Sequence, residues 1–184
     1  MNILYVTARW DPKDPDSGSG VNYQAYSALK TKVDDIRICG PFNTPLTLME
    51  RGITRIASNF TKKRFIKFYP SYIQESNLAV KKMISAFKPD VIVSKSSIPL
   101  VNVRLSIPLV YICDSTVHWV RSWWSNFSKL GFWYMERWEK QVINKASHII
   151  TFSQANADML IDYYHKPPQQ ITVHPIPSAL PHNM

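Results

Sequence analysis

The sequence predicts an α/β fold in three layers, with helices on both faces of a mainly parallel sheet. Three observations predict it. Short apolar runs alternate along the chain with longer segments of helical period, as strands joined by crossover helices do. Runs such as DVIVS at 90–94 are continuously apolar, the pattern of strands covered on both faces. No run approaches the roughly 20 apolar residues that a membrane-spanning helix needs, the longest being Ile107 to Cys113.

The elements follow in order. Met1 to Ala8 (MNILYVTA) reads as a buried strand, and a loop rich in Asp, Pro, Ser and Gly runs from Trp10 to Gly20. Val21 to Lys32 has Ala25, Ala28 and Leu29 at helical spacing. Asp35 to Cys39 is a second strand, stopped by Gly40-Pro41. A helix is expected around Leu46 to Ser58, followed by a basic run. From Pro70 to Lys88, Ile73, Val80, Met83, Ile84 and Phe87 line one helical face, and Lys88-Pro89 ends it. Asp90 to Ser94 and Ile107 to Cys113 are strands, and Trp119 to Leu130 reads as irregular. Phe132 to Lys145 is helical, with Met135, Trp138 and Val142 on one face. A strand at Ser147 to Phe152, a helix at Gln154 to Tyr164 and a strand at Ile171 to His174 complete the pattern. Residues 1–175 are expected to form one domain, and the proline-bearing tail 176–184 a linker.

With 184 residues, 45% of them hydrophobic, the chain can supply one sizeable core. The first strand has no basic stretch before it and no small-residue cleavage site after it, so no signal peptide is expected. Cys39 and Cys113 each end an apolar run and read as reduced, buried thiols of a cytosolic protein. The five histidines show no ligand spacing, so no metal is expected.

Charge is uneven. The net charge is +9, from 22 Lys+Arg against 13 Asp+Glu. Residues 1–40 are neutral, with five basic and five acidic side chains, whereas 41–90 carry nine against three and 91–184 eight against five. An acidic sugar, a pyrophosphate, an anionic lipid surface or a nucleic acid would each suit this field.

Open parallel sheets bind ligands at the carboxyl ends of their strands. Arg9 follows the first strand, while Lys95, Ser96 and Ser97 follow DVIVS. Asp114, Thr116 and His118 follow IPLVYIC, and Ser153 follows SHIITF. This polar rim suits hydroxyl groups. Asp114 is the leading functional carboxylate, with capping of the next turn as its structural alternative. His118 suits an acid, a base or a hydroxyl-binding group, or else simple packing beside tryptophans. Gly18, Ser19 and Gly20 precede the first helix, where backbone amides attract anions. They stand too far from the strand, and lack the third glycine, for a dinucleotide fingerprint. Ser19 would equally serve as an ordinary helix cap.

A further mixture is aromatic and basic. Lys62, Lys63, Arg64 and Lys67 lie among phenylalanines, and five of six tryptophans, Trp123 and Trp124 included, fall between residues 119 and 138. Such residues favour an anionic membrane surface, and the same aromatics also fill cores.

Taken together, the opening strand, the SGSG loop, PDVIVSKSSIPL (89–100), IPLVYICDST (107–116), ERWEKQVINKASHIITFSQANADMLIDYY (136–164) and ITVHPIP (171–177) resemble the N-terminal half of retaining glycosyltransferase family 4 enzymes of GT-B architecture. The likeness covers nearly the whole chain. Ser115 and Val117 depart from an Asp-Ala-Thr-Phe stretch of one branch, and the hinge glycine is not found after Pro177. The resemblance implies a Rossmann-like acceptor-binding domain, half of a GT-B fold, with 176–184 the hinge to a C-terminal domain that binds most of a nucleotide-sugar donor. It implies transfer of a sugar to an acceptor hydroxyl with anomeric retention, without a metal or other cofactor, in glycan, polysaccharide or glycolipid synthesis. By position, Asp114 and His118 would face the reaction, and Gly18, Ser19 and Gly20 the donor diphosphate. Arg9, Lys95, Ser96, Ser97, Thr116 and Ser153 would line the acceptor pocket. Lys62, Lys63, Arg64, Lys67, Trp123 and Trp124 would face a membrane. The expected setting is cytoplasmic, peripheral on the inner membrane, with a lipid-linked acceptor as one option and no nucleic acid. The alternative is a basic Rossmann-like module that binds anionic lipid or nucleic acid without catalysis.

Overall fold

The computed structural model describes residues 1–65, 69–123 and 126–175. Six strands, β1 (Asn2–Val6), β2 (Asp35–Cys39), β3 (Val91–Ser94), β4 (Leu109–Cys113), β5 (His148–Thr151) and β6 (Ile171–Val173), form one sheet in the order β2-β1-β3-β4-β5-β6. All five pairings are parallel. Among the described residues, six α-helices connect them: α1 (Val21–Lys30), α2 (Leu48–Thr61), α3 (Pro70–Phe87), α4 (Val117–Val120), α5 (Lys129–Lys145) and α6 (Gln154–Asp162).

Strand period sorts the core onto two faces. Leu4, Val6, Ile92, Leu109, Tyr111 and Ile149 point one way, against Tyr72, Ile73 and Val80 of α3, Val142 and Ile143 of α5, and Leu160 of α6. Ile3, Tyr5, Val93 and Ile112 point the other way, against Tyr26 of α1. Both faces are apolar at the sheet's centre, so β1, β3 and β4 are mostly apolar, which is why they read as continuous runs. Cys39 and Cys113 are free, buried thiols, and burial pushes the Cys39 thiol up to about 11.

Local chemistry fixes the helix ends. Thr47 and Glu50 form a reciprocal capping box at α2, Pro70 opens α3, and Thr116, Ser128 and Ser153 cap α4, α5 and α6 through their hydroxyls. Lys62 and Lys88 end α2 and α3 in the left-handed conformation.

Some boundaries differ from expectation. α2 is shifted toward the C-terminus because its start is set by the Thr47 cap rather than by hydrophobic spacing. β4 begins two residues late, after Pro108, which cannot donate to a ladder. The stretch expected to be irregular, 119–130, contains the end of α4 and the first two residues of α5.

The chain leaves β1 toward β2 and then returns past it to β3, so the strand order reverses between β1 and β3. That switch point sets the crevice at the carboxyl edge.

Candidate functional site

The loop after β1 is braced from three sides. The Ala8 amide donates to the Ser96 hydroxyl at 3.1 Å, and the Ala8 carbonyl accepts from the Tyr72 phenol at 2.6 Å and the Phe42 amide at 2.9 Å. Gly40 permits this closeness, since its φ is +110° and a Cβ there would lie 2.0 Å from the Thr7 carbonyl oxygen. Arg9, exposed, then lines a cavity of about 480 Å³ with Pro41, Phe42, Asn43, Tyr69 and Tyr72. The residues after β2 and at the start of α3 did not enter the sequence reading. Topology alone could have found them: in parallel crossovers, strand ends and the following helix starts share one edge.

On the same carboxyl edge of the sheet, Lys95 and Asp114 meet across neighbouring strand ends at 2.9 Å. Their exposures differ, 12% for the lysine side chain against 58% for the aspartate. The ammonium is therefore shielded, also lying 5.9 Å above the Phe152 ring, while the carboxylate is presented to solvent. Asp114 also accepts from the Ser115 amide at 2.9 Å, so its turn-bracing role is present as well. Ser96 is engaged with Ala8, and Ser97 shares a side-chain hydrogen bond with Tyr111.

Thr116 and Ser153 sit on the same edge but turn inward. The Thr116 side chain is fully buried and caps α4, and its amide donates to the Asn156 side chain at 3.0 Å. The Ser153 hydroxyl accepts from the Asn156 amide at 3.2 Å. Asn156 in turn donates to the Cys113 carbonyl and the Thr151 hydroxyl, tying β4, β5 and α6 together. These hydroxyls hold the rim's shape.

Below them lies Glu139, which the sequence reading passed over. It is 3% exposed and accepts from the Val117 amide and the Tyr164 phenol, each at 2.7 Å. Burial raises its carboxyl to about 7, against the lowering effect of both hydrogen bonds. Its signal was available: it stands four residues after Met135 and three before Val142, on the apolar stripe of α5.

His118 is not brought to Asp114. Its ring stacks on Tyr163 with centroids 3.6 Å apart, and Nδ1 lies 3.4 Å from a Glu136 oxygen that also accepts from the Tyr163 phenol. With Nδ1 directed at Glu136, Nε2 is the nitrogen left for a ligand hydroxyl.

Gly18 to Gly20 form a 3-10 turn that leads into α1, and Gly20 adopts φ +73°. Lys62, Lys63 and Arg64 are exposed, as is Trp123 at 69%, whereas Lys67 and Trp124 lie outside the described residues. The expected linker 176–184 also lies outside them. Among the described residues no cluster of three or more His, Cys, Asp or Glu could hold a metal ion, and no helix is long and apolar enough to cross a membrane.

Comparison with known proteins agrees with this architecture. The model of Glycosyltransferase Family 4 matches residues 23–177, so β1 and the glycine loop precede the matched region. A crystal structure of UDP-GlcNAc 2-epimerase from Neisseria meningitidis, bound to UDP-GlcNAc, superposes with a TM-score of 0.54 at 12% identity. The match covers 94% of this chain and 45% of that one, so the chain spans under half of this two-fold longer neighbour. At such identity the likeness concerns the fold: a Rossmann-like half of a GT-B architecture. No curated protein matches the sequence. The extent of the family match and the parallel sheet with its polar carboxyl edge together assign the chain to glycosyltransferase family 4.

Proposed function

We propose that this chain is the acceptor-binding half of a retaining hexosyltransferase, whose donor-binding half is a C-terminal domain of the same enzyme. The nucleotide-sugar is a substrate, and no metal is required. In the reaction, the acceptor hydroxyl oxygen bonds to the anomeric carbon while that carbon's bond to the diphosphate oxygen breaks. The hydroxyl proton passes to the departing diphosphate, and the anomeric configuration is kept.

In this reading Asp114 accepts a hydrogen bond from the acceptor and Lys95 fixes its orientation. His118 binds a second hydroxyl through Nε2. Arg9 and the Phe42–Tyr72 cavity hold the body of the acceptor, and the amides of Gly18 to Gly20 face the donor diphosphate. Ser96, Ser97, Thr116 and Ser153 shape the pocket. A glycan or a lipid-linked glycan reached at an anionic bilayer fits the exposed basic turn Lys62 to Arg64.

The observation that carries the reading is the exposed Asp114 carboxylate, set by a shielded lysine on the ligand-binding edge of a family 4 domain. The test uses the enzyme containing both domains, with a panel of UDP- and GDP-sugars and glycan or lipid-linked acceptors. The expected result is a product whose anomeric configuration, read by NMR coupling constants, equals the donor's. An inverted product would defeat the retaining mechanism.

A further inference from the structure

α2 carries an apolar stripe that the fold leaves uncovered. Met49, Ile53, Ile56 and Phe60 recur at helical spacing and are 72%, 45%, 61% and 87% exposed, with Leu48 beside them at 85%. Core packing does not explain them, since the only fully hidden side chain of this helix is the carboxylate Glu50. A contiguous apolar surface of this kind marks an interaction site.

The stripe continues into the body of the domain. Met49 and Ile53 form one wall of an apolar groove of about 240 Å³, and Tyr134 and Trp138 of α5 form the other. The turn after α2 is locked to α5. The Arg64 amide donates to the Asn126 carbonyl at 2.7 Å, the Ser128 amide donates to the Arg64 carbonyl at 2.9 Å, and Gly131 lets the Phe65 backbone approach. Stripe, turn and α5 thus form one surface.

The outward charge of α2 and its turn is of one sign. Arg51, Arg55, Lys62, Lys63 and Arg64 are all exposed. The lone acidic residue between 47 and 65, Glu50, is turned inward and satisfied by Thr47 and by both the amide and hydroxyl of Ser71. An exposed aliphatic ridge that leads into a basic turn, with no outward anion between 47 and 65, complements an anionic lipid headgroup layer.

We infer that α2 is an interfacial helix: it lies on an anionic bilayer with Ile56 and Phe60 entering the acyl boundary and the basic turn on the headgroups. This deepens the membrane setting proposed for the acceptor, and moves the main contact from the tryptophans to α2. A lipid surface is the occupant because the exposed ridge runs into the cations Lys62, Lys63 and Arg64, with no outward acidic side chain between 47 and 65.

The test is flotation of the 184-residue chain with phosphatidylglycerol/phosphatidylcholine vesicles and with pure phosphatidylcholine vesicles. The expected result is binding to the first and little to the second, weakened by salt. The double variant Ile56→Ser/Phe60→Ser keeps every positive charge and should bind at least about tenfold more weakly. Phe60→Trp, read at an excitation that compares it with the parent chain, should add blue-shifted emission only with anionic vesicles. No binding to anionic vesicles, unchanged binding of the double variant, or no added blue shift would each overturn the proposal. So would a self-associated chain that the double variant renders monomeric, or tight duplex DNA binding without vesicle binding. Loss of transfer in the two-domain enzyme with vesicle binding intact would instead count against the transferase reading alone.

Discussion

Lys95 places its ammonium 2.9 Å from the Asp114 carboxylate across the carboxyl ends of β3 and β4. The pair joins two strands that the backbone ladder already joins, with Ile92, Val93 and Ser94 registered on Leu109, Val110 and Tyr111. With the aspartate side largely in solvent, such a pair contributes about 0–1 kcal/mol to folding. Its position therefore matters more to what binds at the edge than to what holds the edge together.

The first prediction follows. In the two-domain enzyme, Asp114→Asn should lower turnover by about 10–10²-fold, the worth of a hydrogen bond from the acceptor hydroxyl to a charged carboxylate. Its melting temperature should stay close to the parent's. His118→Ala should also lower turnover, but here stacking on Tyr163 and the contact with Glu136 are lost as well. Thermal unfolding measured beside steady-state kinetics separates the two roles. Parent-like turnover in both variants would remove them from the site.

The fold was legible because strands and helices of this chain differ in period and in polarity at once. DVIVS and IPLVYIC read as buried strands since their apolar residues each meet one of two apolar layers. Rim positions after β1, β3, β4 and β5 were legible from topology alone. Which way a rim side chain turns was not. Thr116 and Asp114 are two residues apart, yet one is buried under Asn156 and the other exposed. That difference arises from α6, 40 residues further along. Glu139 and the α2 stripe were hidden for a related reason. A carboxylate on an apolar stripe and an aliphatic ridge in a basic segment both contradict the usual inside–outside rule, which pattern reading relies on.

A second prediction concerns pH. Glu139 is held up at about 7, chiefly by burial, against an ordinary 4.5. Between these values the folded chain keeps a proton that the unfolded chain has released, so stability falls as pH rises through this window. The loss attributable to this group is about 3 kcal/mol at most. Glu50 has the opposite sign: burial would raise its carboxyl, but hydrogen bonds from Ser71 and Thr47 outweigh it and bring it below the ordinary value. Its contribution is present above the normal carboxylate range and lost as pH falls through the lowered value. Urea unfolding as a function of pH should therefore show Glu139→Gln removing a decline between about pH 4.5 and 7. Glu50→Gln should soften only the acid limb. A Glu139→Gln profile parallel to the parent's would refute the assignment.

The third prediction contrasts two helical glycines. A Cβ at Gly131 would stand 1.5 Å from the Phe65 carbonyl oxygen, a backbone atom that cannot swing away. Gly131→Ala should force α5 from the basic turn and destabilise by about 1–3 kcal/mol or more. A Cβ at Gly52, in the middle of α2, meets nothing within 4 Å. Gly52→Ala should stabilise by up to about 1 kcal/mol through helix propensity. Chemical denaturation of both variants checks the pair, and equal effects would contradict the packing.

The last prediction concerns the chain by itself. The solved neighbour is matched over 45% of its length, and on the proposed reading the donor is held chiefly by a C-terminal half. On that reading this chain offers the donor only the glycine turn before α1. One helix start contributes little to binding a diphosphate exposed to water. The 184-residue chain should therefore bind UDP- and GDP-sugars no better than high micromolar to millimolar, about 4 kcal/mol at the weak end, and should transfer no sugar. Isothermal calorimetry with a panel of donors, followed by a product assay on the same samples, tests both statements. Micromolar or tighter binding would mean that the edge built by Arg9, Lys95 and Asp114 is itself a nucleotide site. The acceptor would then have to be sought elsewhere on the domain.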